Sequence, residues 1–303
     1  MRAFTSPARR ARALRAAVSF LALALPAVSV ANAGDPLHPF KSNLVSAELV
    51  ADVAAVAPGK PFRLGVRLKM ADGWHVNWIN PGDAGLAPSI AWKLPEGFKA
   101  GILQWPLPSR FITGPLSIFG YANEVLLMAD VRTPAGLSPG GNIELAADVS
   151  WLACAEECVP GSATVRLTLP VESTARTLAA EAGVFETTEA RLPRHAMAWN
   201  VDAHIDESKT LVLDIQNGGE SGRPLDGVFF FPYEPGLIEN AAPQAMSVQA
   251  GPAGQTVYQL RIERARIPAG ALTQVQGVLV AGSGLAAGDG PAAIEISIPL
   301  NRR

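Results

Sequence analysis

Strict alternation of apolar and polar residues is the feature that most constrains how this chain can fold. From Phe62 to Met70, every second residue is apolar, and similar runs cover residues 143–151 and 163–169. A period of two places alternate side chains on one face of a strand. Turn sequences such as Asn80-Pro81-Gly82-Asp83 separate the runs. Many short strands with frequent turns predict antiparallel β-sandwiches.

The alternation stops after residue 170 and resumes near residue 211. Residues 173–182 suit a short helix, with Ser173 as its N-cap, and Pro193 ends this segment. Strand patterns return at 211–215, 258–262 and 294–298. We therefore predict an all-β fold of two sandwich domains, at 34–170 and 198–303, joined by a partly helical linker at 171–197.

The N-terminus has the three-part layout of a secretory signal peptide. Five arginines precede an apolar run from Ala16 to Val30, which ends at the A-x-A sequence Ala31-Asn32-Ala33. The alternative is a membrane anchor, but the run is shorter than the roughly 20 residues of a spanning helix. We predict cleavage of residues 1–33, export to the periplasm and no membrane insertion of the mature chain. The mature chain has a negative net charge, which gives it no electrostatic reason to bind nucleic acid.

The chain has two cysteines, Cys154 and Cys158. Strand patterns end near Leu152 and restart near Ala163, so we expect a hairpin with both cysteines at its tip, close enough for a disulfide. Odd-numbered positions form the apolar face of the first strand. Cys154 is even-numbered, so its sulfur is predicted to point away from the core, within reach of another protein.

Three interpretations of this pair remain open from the residues alone. A structural disulfide is one of them. A metal site is the second, although two cysteines are too few for a closed zinc site and the four histidines are scattered. Thiol–disulfide exchange is the third, in a fold other than thioredoxin, because the spacing is C-x-x-x-C and no βαβ pattern surrounds it.

Two acidic residues, Glu156 and Glu157, lie between the sulfurs, and the loop contains no basic residue. Negative charge raises the pKa of a nearby thiol and makes its sulfur a poorer leaving group. If the pair is redox-active, this charge favours a role as electron donor. The alternative is that both glutamates are ordinary solvated turn residues.

Several motifs, taken in order, resemble one known family. They are Gly73-Trp74-His75-Val76-Asn77-Trp78-Ile79-Asn80-Pro81-Gly82-Asp83, Trp92 to Phe98, Gln104-Trp105-Pro106, Phe119-Gly120-Tyr121, Val149 to Gly161, and Phe229 to Ile238. The sequence resembles the N-terminal periplasmic region of DsbD-type thiol:disulfide interchange proteins, closest to the suppressor-of-copper-sensitivity B branch. The resemblance implies immunoglobulin-like sandwiches, the first of them carrying a redox-active cysteine pair.

The resemblance also implies roles for individual residues. Cys158 would be the nucleophile that forms mixed disulfides, and Cys154 the resolving thiol. A cap loop at Ser109–Tyr121 would shield the pair, with Phe111 or Phe119 as the covering ring. The remaining residues predicted to form the site wall are Tyr121, Trp74 and Trp78. The alternative for Trp74 and Trp78 is that both are core or sheet-facing aromatic residues. We expect His75 to be a surface or hydrogen-bonded residue rather than a ligand or proton carrier, and Phe229–Phe231 to be a buried strand rather than a partner surface.

The expected partners are a membrane-embedded thiol reductase and periplasmic thioredoxin-like clients. The family's transmembrane carrier and thioredoxin-like domain have no counterpart in this sequence. Either a separate membrane protein supplies electrons to this chain as a protein-disulfide reductase component, or the chain has acquired another use. No cofactor and no metal are expected. Two other functions stay open: a copper-handling protein with the cysteines as Cu(I) ligands, and a non-catalytic interaction sandwich with a permanent disulfide.

Overall fold

A computed structural model describes residues 44–195, 199–217, 227–251, 255–266, 273–281 and 293–302. All of them belong to one compact unit, Lys41–Arg303. The predicted signal peptide, residues 1–33, lies outside the described residues. No helix within the described ranges is long and apolar enough to cross a lipid bilayer.

The first sandwich is built from strands that precede residue 171. They are β1 Val45–Ala51, β2 Val53–Ala55, β3 Phe62–Met70, β4 His75–Gly82, β5 Ser89–Lys93, β6 Lys99–Ala100, β7 Ser109–Thr113, β8 Leu116–Ala122, β9 Glu124–Arg132, β10 Asn142–Cys154 and β11 Cys158–Pro170. One sheet has the order β1-β3-β9-β6, and the other has the order β11-β10-β4-β8-β7, with β5 also paired to β10. Within both sheets, neighbouring strands run antiparallel.

The alternating pattern explains how these strands form the core. In β3, Phe62, Leu64, Val66 and Leu68 are buried, whereas Lys69 is exposed. Burial of each such side chain contributes about 1.5–3 kcal/mol of transfer free energy. The three alternating runs predicted as strands are confirmed as β3 and as parts of β10 and β11.

The segment after the first sandwich contains a helix, but it starts later than predicted. Arg176–Thr177 form a short strand, β12, that pairs with β2, and the helix α1 runs from Ala179 to Ala190. Its N-cap is Leu178, without a side-chain hydrogen bond, so the prediction of Ser173 as the cap is wrong. The fully buried ring of Phe185 docks α1 on the first sandwich, against side chains of β1 and β9.

The second sandwich follows the helix. Its strands are β13 Arg194–His195, β14 Trp199–Ile205, β15 Leu211–Asn217, β16 Phe229–Pro232, β17 Ala245–Ala250, β18 Thr256–Ile262, β19 Gln274–Val280 and β20 Ala293–Arg302. They form one curled eight-stranded sheet in which β20 joins the two halves. The sheet is not purely antiparallel, because β20 runs parallel to β13 and β14.

Strand β16 joins the two sandwiches through its alternating side chains. Phe230 is fully buried in the core of the second sandwich, whereas Phe231 belongs to the core cluster of the first. The ring of Phe231 lies edge-on to Trp78 and Phe119, with ring centres 6.1 and 5.0 Å apart. The predicted strand at Phe229–Phe231 is confirmed, and it lies at the contact between the two sandwiches.

Candidate functional site

The cysteine pair closes the hairpin of β10 and β11. Residues pair continuously along the hairpin from Asn142 and Pro170 to Cys154 and Cys158, which lie directly opposite each other. Their Cα atoms are 4.1 Å apart, and their sulfurs are bonded. The main-chain N–H of Ala155 donates to the carbonyl of Glu157 at 2.9 Å across the loop. The prediction of a hairpin tip that carries a disulfide is confirmed.

The two bonded cysteines differ in exposure. Cys154 is buried, with 4% of its surface exposed, whereas Cys158 is an exposed residue. The prediction that the outward parity of Cys154 leaves its sulfur accessible is therefore wrong. Cys154 lies between two strands, because it pairs with Cys158 of β11 on one side and with His75 of β4 on the other. The disulfide is therefore exposed to solvent on the side of Cys158.

His75 is the neighbour of Cys154 on β4. Its side chain is 7% exposed, and its Nε2 atom has no hydrogen-bond partner among the described residues. Burial lowers the pKa of the imidazole below its ordinary 6.5, so the ring is neutral at neutral pH. The interpretation of His75 as a surface or hydrogen-bonded residue does not describe this environment.

A hairpin formed by β7 and β8, which we call the cap hairpin, lies beside the cysteine loop. Its tip is Gly114-Pro115, where Gly114 adopts a positive φ of 58°. Phe111 on β7 stacks on the imidazole of His75, with ring centres 4.9 Å apart and planes 19° from parallel. The cap hairpin and the cysteine loop border an open cleft of about 1170 Å³, lined by residues that include Trp74, His75, Phe111, Ala155, Glu156 and Glu157.

The structure brings together some of the predicted site residues and separates others from them. Trp74 and Phe111 line the cleft next to the cysteine loop. Phe119 is fully buried, and its ring contacts Phe229 and Phe231 of the second sandwich, so it is not the ring that lies at the cleft.

Two further residues predicted for the site wall lie in the core. Trp78 is 1% exposed and packs on Phe231 and Tyr233 of the second sandwich. Tyr121 is 2% exposed, and its hydroxyl donates to the Pro106 carbonyl at 2.6 Å. Burial raises the pKa of this phenol well above its ordinary 10. On β4, Val76 and Trp78 are even-numbered and His75 is odd-numbered, so Val76 and Trp78 lie on the opposite face of the strand from His75. Tyr121 is the cross-strand partner of Val76 and therefore lies on that same opposite face.

The charged residues of the cleft are mostly acidic. Asp72, Glu156 and Glu157 line it, and both glutamates are exposed to solvent. Arg110 also lines the cleft, but its guanidinium is occupied elsewhere: Nε donates to the Ser117 hydroxyl at 2.8 Å. Within the described ranges, no three or more His, Cys, Asp or Glu side chains cluster in a way that could hold a metal ion.

Sequence reasoning missed the polar residues that attach the first sandwich to the second. Asn80 is fully buried, and its side-chain amide donates to the Pro232 carbonyl at 2.8 Å. Asp83 accepts a bond of 2.8 Å from the side chain of Asn240. Both residues belong to the Asn-Pro-Gly-Asp turn. The amide and carboxylate side chains of this turn were the sequence signal that could have indicated these hydrogen bonds.

Arg110 attaches the cap hairpin to the second sandwich in the same region. Its Nη2 atom donates to the carbonyls of Asn240 and Ala241 at 3.1 and 3.2 Å. Its guanidinium carbon also lies 5.0 Å from the centre of the Phe229 ring, a cation–π distance. Phe111 thus follows directly in sequence a residue that is fixed to the second sandwich.

Comparison with known proteins gives a family and a fold. Residues 41–170 match the family model described as "Thiol:disulfide interchange protein DsbD, N-terminal". The N-terminal periplasmic domain of ScsB from Proteus mirabilis is similar in structure, with a TM-score of 0.56 and 17% identity, covering 86% of this chain and 95% of that chain. This likeness confirms the predicted all-β, immunoglobulin-like fold.

A second solved structure is similar over a shorter part of the chain. The reduced N-terminal domain of Neisseria meningitidis DsbD is 18% identical over 43% of this chain and 90% of that chain, with a TM-score of 0.23. Among curated proteins, none matches the chain significantly. Over residues 41–170, the resemblance drawn from the sequence motifs is confirmed by the family match: this part of the chain is a DsbD-type N-terminal domain of the thiol:disulfide interchange proteins.

Proposed function

We propose that this protein is a periplasmic thiol–disulfide exchange module, which accepts electrons from a membrane-embedded thiol reductase and passes them to thioredoxin-like clients. The observation that carries the proposal is the unequal exposure of the two bonded cysteines: Cys158 is exposed to solvent, and Cys154 is buried between β11 and β4. Exchange requires that an attacking thiolate can reach one sulfur of the disulfide. The periplasmic domain of ScsB, which shares the fold, supports the proposed location.

The chemistry runs in two steps on the same pair. A thiolate of the reductase attacks Sγ of Cys158, so that a new S–S bond forms to the partner and Cys154 leaves with the electron pair. A second thiol of the partner then attacks the mixed disulfide, which releases the partner oxidised and leaves Cys154 and Cys158 reduced. The reverse sequence, with Cys158 as nucleophile and Cys154 as resolving thiol, reduces an oxidised client.

The exchange roles can be separated by single substitutions. Cys158→Ala removes the accessible sulfur and is expected to abolish reduction of a purified, oxidised thioredoxin-like protein. Cys154→Ala removes the resolving thiol and is expected to trap the mixed disulfide, visible as a covalent adduct on a non-reducing gel. The double variant serves as the matched control. If both single variants reduce the client at the normal rate, the proposed mechanism is wrong.

The direction of transfer is proposed from the charge of the loop. Glu156 and Glu157 disfavour thiolates near Cys154 and Cys158, which keeps the disulfide form comparatively stable and makes the reduced pair a donor. The variant Glu156→Gln/Glu157→Gln is therefore expected to be more oxidising in equilibrium with a glutathione buffer. Because both side chains are exposed, the shift should shrink as salt is added. A wild-type pair as oxidising as the strongest disulfide donors would contradict this direction.

The cap hairpin is proposed to shield the pair between encounters. Phe111 extends from it over the ring of His75, next to the cysteine loop. Phe111→Ala is expected to speed alkylation of the buried Cys154 in the reduced protein by iodoacetamide, because the ring that covers the neighbouring His75 is removed. Ile112→Ala, at an exposed neighbour on the same strand, is the matched control and should leave the rate unchanged. Equal rates for wild type and Phe111→Ala would refute the shielding role.

A further inference from the structure

We infer that His75 is the group that takes the proton from Cys154 when this thiol resolves a mixed disulfide. The inference rests on the proposed exchange function and assigns a base to its second half. His75 and Cys154 are direct partners across the antiparallel pair of β4 and β10. Side chains at such positions lie on the same face, with Cβ atoms about 4.5–5.5 Å apart.

Burial makes a local base necessary. Cys154 is 4% exposed, so bulk water and external buffers have poor access to its thiol. A thiol reacts only as the thiolate, and both burial and the neighbouring glutamates oppose its formation. Without an internal acceptor, the resolving step would wait for a rare ionisation inside the hairpin.

His75 has the free atom that this role needs. Its Nε2 is buried and has no hydrogen-bond partner in the part of the chain that the structure describes. Buried polar atoms without partners are uncommon and call for an explanation. In the disulfide form, neither sulfur carries a proton, so neither can donate a hydrogen bond to Nε2 of His75. After reduction, Cys154 carries an S–H group that can donate to this nitrogen.

The surroundings hold the imidazole in place and keep it neutral. Phe111 stacks on the ring nearly face to face, which restricts its rotation. Burial lowers the pKa of His75, so that the ring carries a lone pair at neutral pH. The charged groups around the cleft are Asp72, Glu156, Glu157 and Arg110. Arg110 is engaged with main-chain carbonyls of the second sandwich.

Resolution begins with proton transfer inside the hairpin. Cys154 Sγ–H gives its proton to Nε2 of His75, and the resulting thiolate attacks Sγ of Cys158 in the mixed disulfide. The Cys154–Cys158 bond forms, the bond to the client breaks, and the client sulfur leaves with the electron pair. The imidazolium then returns its proton to the client thiolate or to water. In the opposite direction, the same imidazolium protonates Cys154 as it leaves.

The test is the two-phase reaction of the reduced protein with an excess of the aromatic disulfide 5,5′-dithiobis(2-nitrobenzoate). The first phase reports attack by Cys158, and the second, independent of reagent concentration, reports resolution by Cys154. His75→Gln is expected to slow the second phase about a hundredfold at pH 7, the lower end of the usual range for a general base. The first phase should be unchanged. At pH 10 the difference should shrink, because a larger fraction of Cys154 is then already thiolate without the help of His75.

Two further variants keep the result interpretable. His75→Phe retains a ring to stack on Phe111 and lacks the nitrogen, so it should reproduce the pH-dependent loss, and it replaces His75→Gln if that variant does not fold. Thr113→Ala, an exposed residue that lines the same cleft, should match wild type. A loss of equal size at pH 7 and pH 10, or no loss, overturns the inference. If wild type itself shows no second phase, the proposed exchange function fails instead.

Discussion

Reduction of the disulfide is expected to leave the first sandwich folded and to lower its free energy of unfolding only modestly. The perturbation is a single one: dithiothreitol opens the bond between Cys154 and Cys158. The two strands that carry these cysteines remain paired along their whole length, down to Asn142 and Pro170. Cys154 stays in its buried position, where a thiol behaves as a small apolar side chain.

The size of the effect follows from the length of the closed loop. A disulfide stabilises a fold mainly by restricting the unfolded chain, and this restriction grows with loop length. The loop from Cys154 to Cys158 spans a sequence separation of 4, for which the chain-entropy relation gives about 2 kcal/mol at 25 °C. A loss of about 2 kcal/mol is small enough for a fold of this size to alternate between both redox states.

The assay is urea unfolding of the oxidised and the reduced protein, followed by circular dichroism. We expect the transition midpoint to fall on reduction, with the slope m nearly unchanged. The variant Cys154→Ala/Cys158→Ala is the control, because its stability should not respond to dithiothreitol. If reduction unfolds the first sandwich, or costs more than about 5 kcal/mol, the upper end for native disulfides, the bond is architectural and the exchange proposal fails.

Other parts of the molecule give three further predictions. Asn80→Ala should lower the free energy of unfolding, measured in urea, by about 1–3 kcal/mol, because a main-chain carbonyl of the second sandwich loses its hydrogen-bond donor. The control is Ile79→Ala, on the exposed side of the same strand, which should change this free energy by about 0.5 kcal/mol or less. Gly120→Ala should lower the thermal unfolding temperature, because a methyl group there collides with a main-chain carbonyl of β4; an unchanged temperature would contradict this close approach of β4 and β8. A hydrogen bond from the Ser208 hydroxyl is the main cause that lowers the pKa of Asp206 from the ordinary 3.8 to about 2. The stability that this carboxylate contributes should be complete above pH 3.8 and be lost as the pH falls toward 2. An NMR titration of Asp206 with a midpoint near 3.8 would contradict this prediction.

The strands were predictable because their pattern is local. Alternation from Phe62 to Met70 requires only that one side of a strand is buried, and the structure has β3 there. The hairpin was predictable for the same reason, since a short loop between two alternating runs brings Cys154 and Cys158 together.

What could not be predicted depends on segments that are distant in sequence. The burial of Cys154 comes from β4, which arrives beside it from residue 75. Parity gave the face of Cys154 but not what covers that face. Likewise Phe119 and Trp78 are buried by Phe231, more than a hundred residues away. The helix α1 begins later than predicted, because Arg176–Thr177 pair with β2 instead of forming part of the helix.

The attachment of Arg110 to the second sandwich determines how the cap hairpin can give way to a docking protein. Asn240 and Ala241 hold the base of β7 through their carbonyls, and the next residue, Phe111, lies over His75. A partner that pushes Phe111 aside must therefore bend β7 beyond this fixed point or pull Arg110 from its contacts. The contacts of Arg110 with the second sandwich would therefore limit how far the proposed cap can move, and removal of the second sandwich would release this restriction.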